Sequence, residues 1–288
     1  MLAKADPKKW DLITLQEPYL DSIGLTRANT YWNVIYPSNK NLENQNRIQS
    51  VILVNTNIHS SQIQQIPILS SDLSAVKIST ATRMLILINI YNNNNHNQTI
   101  DTLANEWESN EDAWMRDPTT ELIILGNFNQ HHSTWEAPHN SHLTSNDRLL
   151  NPLLDLIVNM RLEMTLLCNT PTLEARNMGN WTRPDNVWRC SDLPSPFITC
   201  DVNASLRPGS TDHLPIVSTI NLKYLPAKQD ERFNYKTIDW EEYMEALNNN
   251  LANLETLLRN PLDMARKIKE ATDLLFEAID MTTREVVP

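Results

Sequence analysis

Apolar residues in this chain come mostly in short runs closed by polar or turn-forming residues, the pattern of buried strands. Residues 11–15 form the first run, which ends at Gln16-Glu17-Pro18. Ser50–Asn55 is a second, and residues 73–78 are a third with partial alternation. Met84–Tyr91 is apolar at nearly every position and is expected to be central in a sheet. Residues 121–125 form the strand that empties into the polar loop Gly126-Asn127-Phe128-Asn129-Gln130-His131-His132-Ser133-Thr134-Trp135. Such strand-end loops carry chemistry because the strand is fixed while its end stays open to a ligand. Helical periodicity appears over 99–114 and over 145–160, where Leu149, Leu150, Leu153, Leu154, Ile157 and Val158 share a face. Shorter strands are expected around 165–167, 186–189, 197–200 and 216–221, and residues 1–9 read as the tail of a helix. The pattern predicts an α/β architecture of two packed mixed β-sheets with outer helices, a four-layer sandwich.

The pattern changes after Leu225-Pro226. Asp239 is placed to N-cap a helix with Glu242 at the reciprocal position, and Trp240, Tyr243, Met244, Leu247, Leu251 and Leu254 follow at helical spacing. Asn260-Pro261 restarts a second helix with the stripe Met264, Ile268, Ala271, Leu275 and Ala278. This predicts a C-terminal helical hairpin and two domains, 1–225 and 226–288, with the boundary near 226–233.

Hydrophobic residues make up 41% of the 288 positions and charged residues 20%, which excludes a disordered chain. No apolar run is long enough to span a bilayer, so no membrane partner is expected. Cys168, Cys190 and Cys200 lack CxxC spacing and read as reduced thiols of an intracellular protein. A net charge of −11 argues against affinity built on a basic surface. It leaves room for a carboxylate-lined metal site, where the cation supplies the positive charge.

Six polar signals sit at predicted strand ends: Gln16-Glu17-Pro18, Asn89-Ile90-Tyr91, Gly126-Asn127-Phe128-Asn129, residues 181–187, Cys200-Asp201 and Ser210-Thr211-Asp212-His213. Each alone reads as ordinary surface. In this order they resemble the endonuclease/exonuclease/phosphatase superfamily, the fold of exonuclease III, the apurinic endonucleases and deoxyribonuclease I. The opening Gln16-Glu17-Pro18-Tyr19, the extended motif through His131, His132 and Trp135, and Trp181-Thr182-Arg183-Pro184-Asp185 narrow the likeness. They are similar to the endonuclease domain of a fungal non-LTR retrotransposon, which continues into a reverse transcriptase. The likeness spans about residues 1–222, and the tail resembles the helical linker before the polymerase.

The resemblance implies a Mg²⁺-dependent DNA endonuclease, with Mn²⁺ as a substitute, DNA and a covalently linked reverse transcriptase as partners, and a nuclear location if functional. Glu17 would anchor the metal, a hard cation that prefers oxygen, and Asp212 would help hold it or its waters. His213 would activate water or hold the phosphate, depending on its protonation. Its carboxylate partner would be Asp185, with Asp201 as the runner-up. Tyr91 and Asn129 would donate to phosphate oxygens, with Thr182, Thr211 and His131 on the substrate side. The adjacent His131 and His132 point to opposite sides of an extended segment and read as loop structure or DNA contact.

Two departures qualify the activity. Position 127 is Asn where the family has Asp; the shape is kept, the charge is not, and the amide nitrogen cannot accept a proton. The family's first strand, with its own catalytic Asn, would precede residues 1–9 and is missing, which leaves neighbouring strands with unpaired backbone groups. The expectation is an impaired endonuclease. The alternatives are a non-catalytic DNA-binding or interaction module of the same fold, and more remotely a phosphatase acting on small molecules.

Overall fold

The longest apolar runs lie at the centre of a six-stranded sheet, in the order β4 (Ile63–Ile66), β5 (Leu73–Ser79), β6 (Met84–Tyr91), β7 (Thr120–Asn127), β11 (Asp185–Cys190), β8 (Glu163–Met164). β6 and β7 run parallel and the other pairs antiparallel, so the sheet is mixed. A parallel pair needs a crossover, supplied here by α1 (Gln98–Trp114). Its Ile100, Leu103, Trp107 and Trp114 pack on the sheet with Leu150, Leu153 and Leu156 of α2 (Asp147–Asn159), which Asn146 caps. The computed structural model describes residues 5–22, 24–26, 28–39, 48–143, 146–175, 179–209, 211–222, 238–251 and 264–287. The chain divides into two compact units, Met1–Ala227 and Lys228–Pro288.

The other face of the large sheet is covered by a second β layer. β1 (Leu12–Gln16), β3 (Ser50–Asn55) and β2 (Trp32–Ile35) form an antiparallel sheet in the order β1-β3-β2. β12 (Phe197–Val202) and β13 (Ile216–Ile220) form a separate antiparallel pair. Leu12, Ile52 and Val54 from the first piece and Phe197, Cys200, Ile216 and Ile220 from the second meet one cluster. The large sheet supplies Val76, Ile78, Leu85, Leu87, Ile123 and Val187 to it. The two-sheet sandwich is therefore present, with a correction: the second layer is antiparallel and in two pieces.

The free edges of β1 and β13 pair with no described strand. Antiparallel residues alternate between bonded and non-bonded pairs. Asp11 O accepts from Asn55 N–H and Glu17 N–H donates to Gln49 O, which fixes the phase. The N–H groups of Leu12, Thr14 and Gln16 therefore face away from β3. By the same phase, set by Asn203 N–H to Pro215 O, those of Ile216, Ser218 and Ile220 face away from β12.

Two further expectations need revision. Residues 7–9 form a turn closed by Lys9 N–H on Asp6 O, with no helix among the described residues before β1. The strand expected at 165–167 ends at Met164, because the carbonyls of Leu166 and Leu167 turn to accept from Arg183. β2 and β4, and the two-residue strands β9 (Leu173–Glu174) and β10 (Trp181–Thr182), carried no clear sequence signal. At the N-terminal end of β7 the fully buried Glu121 accepts from Arg189 at 2.7 and 3.1 Å and from Arg83 at 3.0 Å. Removing one partner of such a buried pair costs about 3–5 kcal/mol.

In the second unit, α3 (Trp240–Asn250) begins at Asp239, whose carboxylate accepts from the N–H groups of Glu241 and Glu242. It pairs with α4 (Met264–Val286) through Asn250 on Thr282 and Tyr243 on Thr283, and Ala278 is buried while Trp240 and Met244 are exposed. The expected cap at Asn260 lies outside the described residues. No described helix is long and apolar enough to cross a membrane.

Candidate active site

Strand register gathers the site. Tyr91 is the last residue of β6 and lies opposite Asn127, the last residue of β7. Asn127 in turn lies opposite Asp185, the first residue of β11. Three polar side chains from remote parts of the chain thus stand in a row across the C-terminal end of the central parallel pair. Gly126 makes the approach possible: its φ is +134°, and a Cβ there would lie 2.1 Å from Ile90 O.

The second layer contributes Glu17, one residue past β1. Its φ of 48° is the left-handed conformation, which costs a non-glycine residue about 1–2 kcal/mol. The turn is held by Glu17 N–H on Gln49 O at 2.8 Å. The Tyr91 hydroxyl donates to Glu17 Oε1 at 3.1 Å. The sequence assigned that hydroxyl to phosphate oxygens; in the structure it links the two layers.

His213 and Asp185 form a dyad, with Nδ1 2.8 Å from Asp185 Oδ2. Asp185 is buried, and its N–H donates to Thr172 Oγ1. His213 lies on a turn that Thr211 Oγ1 caps by accepting the His213 N–H at 3.1 Å. Burial works against a charged imidazole here. It is outweighed by the bond to Asp185 and by the negative charges of Asp185, Asp212 and Glu17, so the His213 pKa is raised. Asp201 takes no part: it is exposed on β12 and accepts from Val202 N–H.

The Asn127 loop is specified atom by atom. Asn127 Oδ1 accepts from Asn129 N–H at 2.9 Å, which fixes the oxygen and leaves Nδ2, a donor, as the other end of the amide. An Asp would accept the same N–H with one oxygen and present a second oxygen where the nitrogen stands. Asn129 has φ 51°, a conformation asparagine tolerates, and Nδ2 donates to Asn92 O at 2.7 Å. Phe128, between them, is fully buried and its N–H donates to Pro184 O, tying the loop to the start of β11.

Beyond this loop, Glu136 holds three elements together. Its carboxylate accepts from Arg183 N–H at 2.8 Å and Asn140 Nδ2 at 2.8 Å, and lies 2.6 Å from His131 Nδ1. Burial opposes the charge of Glu136, but these three donors together bring its pKa below the usual carboxylate value. Arg183 is buried, with Nε on Asn186 Oδ1 and the guanidinium on the Leu166 and Leu167 carbonyls. Burial brings its pKa down to about 10. His132 turns the other way, to Thr134 Oγ1 and the Trp135 ring 5.2 Å off. Thr182 is buried in β10, its carbonyl accepting from Thr172 N–H. Asn89 stands in the Asn89-Ile90-Tyr91 signal, but its reach to Leu15, Gln16 and Val51 is not legible there; Glu136, Asn140 and Thr172 carried no motif signal.

No described group of three or more His, Cys, Asp or Glu side chains is arranged to cage a metal. The donors suit a more open arrangement, since Mg²⁺ typically takes one or two carboxylates, keeps waters and binds substrate phosphates. Glu17 is exposed one residue past β1, and Asp212 adjoins His213, its carbonyl accepting from Glu174 N–H at 3.0 Å.

No protein-family model and none of the curated proteins matches the chain. Among solved structures, the endonuclease domain of TRAS1, a telomere-specific non-LTR retrotransposon, is similar with a TM-score of 0.57 at 17% identity. That match covers 75% of this chain and 88% of that domain. The catalytic domain of Xenopus laevis APE2 is similar with a TM-score of 0.54 at 13% identity, covering 76% of this chain and 86% of that domain.

Proposed function

We propose that this chain, whose fold is that of the DNase I-like endonuclease/exonuclease/phosphatase proteins, is a divalent-cation-dependent DNA endonuclease slowed by Asn127. The observation that carries this reading is the pair of contacts His213–Asp185 and Tyr91–Glu17, whose Tyr91 and Asp185 the β6-β7-β11 register brings to one end of the large sheet. The TRAS1 neighbour, an endonuclease domain of a telomere-specific retrotransposon, supports DNA as the substrate. With a net charge of −11, the chain depends on a cation to meet a polyanion.

Glu17 and Asp212 would hold Mg²⁺, or Mn²⁺ in its place, which when bound polarises the phosphate and offsets its charge. With Nδ1 occupied by Asp185, His213 meets the phosphate through Nε2. Charged, the ring would donate to a phosphate oxygen; neutral, it would take a proton from water. The Asn127 and Asn129 amides orient the phosphate. His131, pinned by Glu136, is a flanking DNA contact. Thr211 and Thr182 act one step back, on the turn of His213 and on Thr172. What the row lacks is an unengaged carboxylate to take the proton of an attacking water, since the amide nitrogen of Asn127 cannot accept one.

The test is nicking of supercoiled plasmid with Mg²⁺. Asn127→Asp should raise the rate by about 10²-fold or more, the scale of a general base. Glu17→Ala should abolish activity in either background. Equal nicking by the native chain and Asn127→Asp would sink the impairment. No nicking by either, with DNA binding retained, would favour the non-catalytic module that Asn127 and the acidic charge also suit.

A further inference from the structure

Between the two layers runs a set of buried side-chain bonds that none of the roles above uses. Asn89, on β6 two residues before Tyr91, is fully buried, and its side chain crosses to the other sheet. Its Nδ2 donates to Leu15 O and Val51 O, each at 3.0 Å, so both amide hydrogens are spent. Its Oδ1 accepts from Gln16 Nε2. Its own carbonyl accepts from Ser50 Oγ at 2.9 Å, and Ser50 Oγ lies 2.7 Å from Ser74 Oγ. The Gln16 amide also lies against β7: a Cβ on Gly126 would sit 3.0 Å from Gln16 Nε2.

Gln16 therefore touches the strands of Tyr91 and Asn127, each near its last residue, and immediately precedes Glu17. Glu17 is exposed, so packing does not fix its side chain, and its left-handed backbone is held by its own N–H on Gln49 O and by the residue it follows. We infer that Gln16 and Asn89 are positioning residues that set the Glu17 carboxylate at its working distance from the Tyr91, Asn127 and His213 half of the site. The inference rests on the reading of Glu17 as a cation-binding carboxylate. The competing role is plain core stability, in which the bonds hold the sheets together and the place of Glu17 is incidental.

Gln16→Leu, which keeps bulk and removes the donor, separates the two, with Gln16→Met as a second variant if the first folds poorly. Mn²⁺ affinity would be measured by titration with paramagnetic detection, beside Tm and a crystal structure of each variant. Loss of an outer-shell partner weakens metal binding by about 10-fold to 100-fold. A loss of that size is expected here, approaching that of Glu17→Ala, with the variants still folded and the Tyr91–Glu17 contact broken. Native Mn²⁺ affinity in folded Gln16→Leu or Gln16→Met would overturn the inference. If the native chain binds no Mn²⁺, the cation reading of Glu17 fails separately. The crystal structures then decide the positioning role: a retained Tyr91–Glu17 contact overturns it, and a broken one upholds it.

Discussion

Asn127 and His213 show how much of the chemistry hangs on single atoms. The amide of Asn127 reproduces the contact an Asp would make to the Asn129 N–H, because one side-chain oxygen suffices to accept it. The substitution is invisible to the scaffold and is felt only by what the other end of the group meets. His213 owes its raised pKa to Asp185 first among its neighbours, against the pull of burial. With the folded pKa above the unfolded value near ~6.5, the dyad's stabilisation is complete below that value. It is lost as pH rises through the folded pKa. Asp185→Asn should therefore lower the His213 midpoint in an NMR titration and remove the matching loss of stability toward alkaline pH. An unchanged midpoint would mean that Asp212 and Glu17 set the charge of the ring.

At the level of elements, the exchange of backbone amides reports the divided second layer. Hydrogen exchange should be faster at Leu12, Thr14 and Gln16 than at Ile13 and Leu15, and faster at Ile216, Ser218 and Ile220 than at Val217 and Thr219. Uniform protection along β1 would mean that another strand pairs there. The sequence revealed β3, β5, β6 and β7 because strands buried on both faces must be apolar throughout. It concealed β2 and β4, short strands at sheet edges, where Trp32-Asn33-Val34-Ile35 and Ile63-Gln64-Gln65-Ile66 mix polar with apolar. The site followed the same rule. Glu17, Tyr91, Asn127, Asp185 and His213 were legible as polar residues closing apolar runs or in a characteristic order. Gln16 and Asn89 stood inside two of these signals, but their bond across 73 positions was not legible, and neither was that of Glu136 to Arg183 across 47.

For the whole molecule, acidity and strand edges act together. A net charge of −11 makes two copies repel one another. The free edge of β1, Leu12 to Gln16, carries neither the lysine nor the proline that commonly guards such edges. Self-association is then governed by ionic strength. The screening length falls from about 10 Å at 0.1 M salt to about 3 Å at 1 M. Sedimentation velocity across that range should show the weight-average mass rising with salt and with protein concentration. A mass that holds constant would mean the edges are covered. The same split among the described strands predicts the solution conditions in which the protein stays dispersed: dilute, and low in salt.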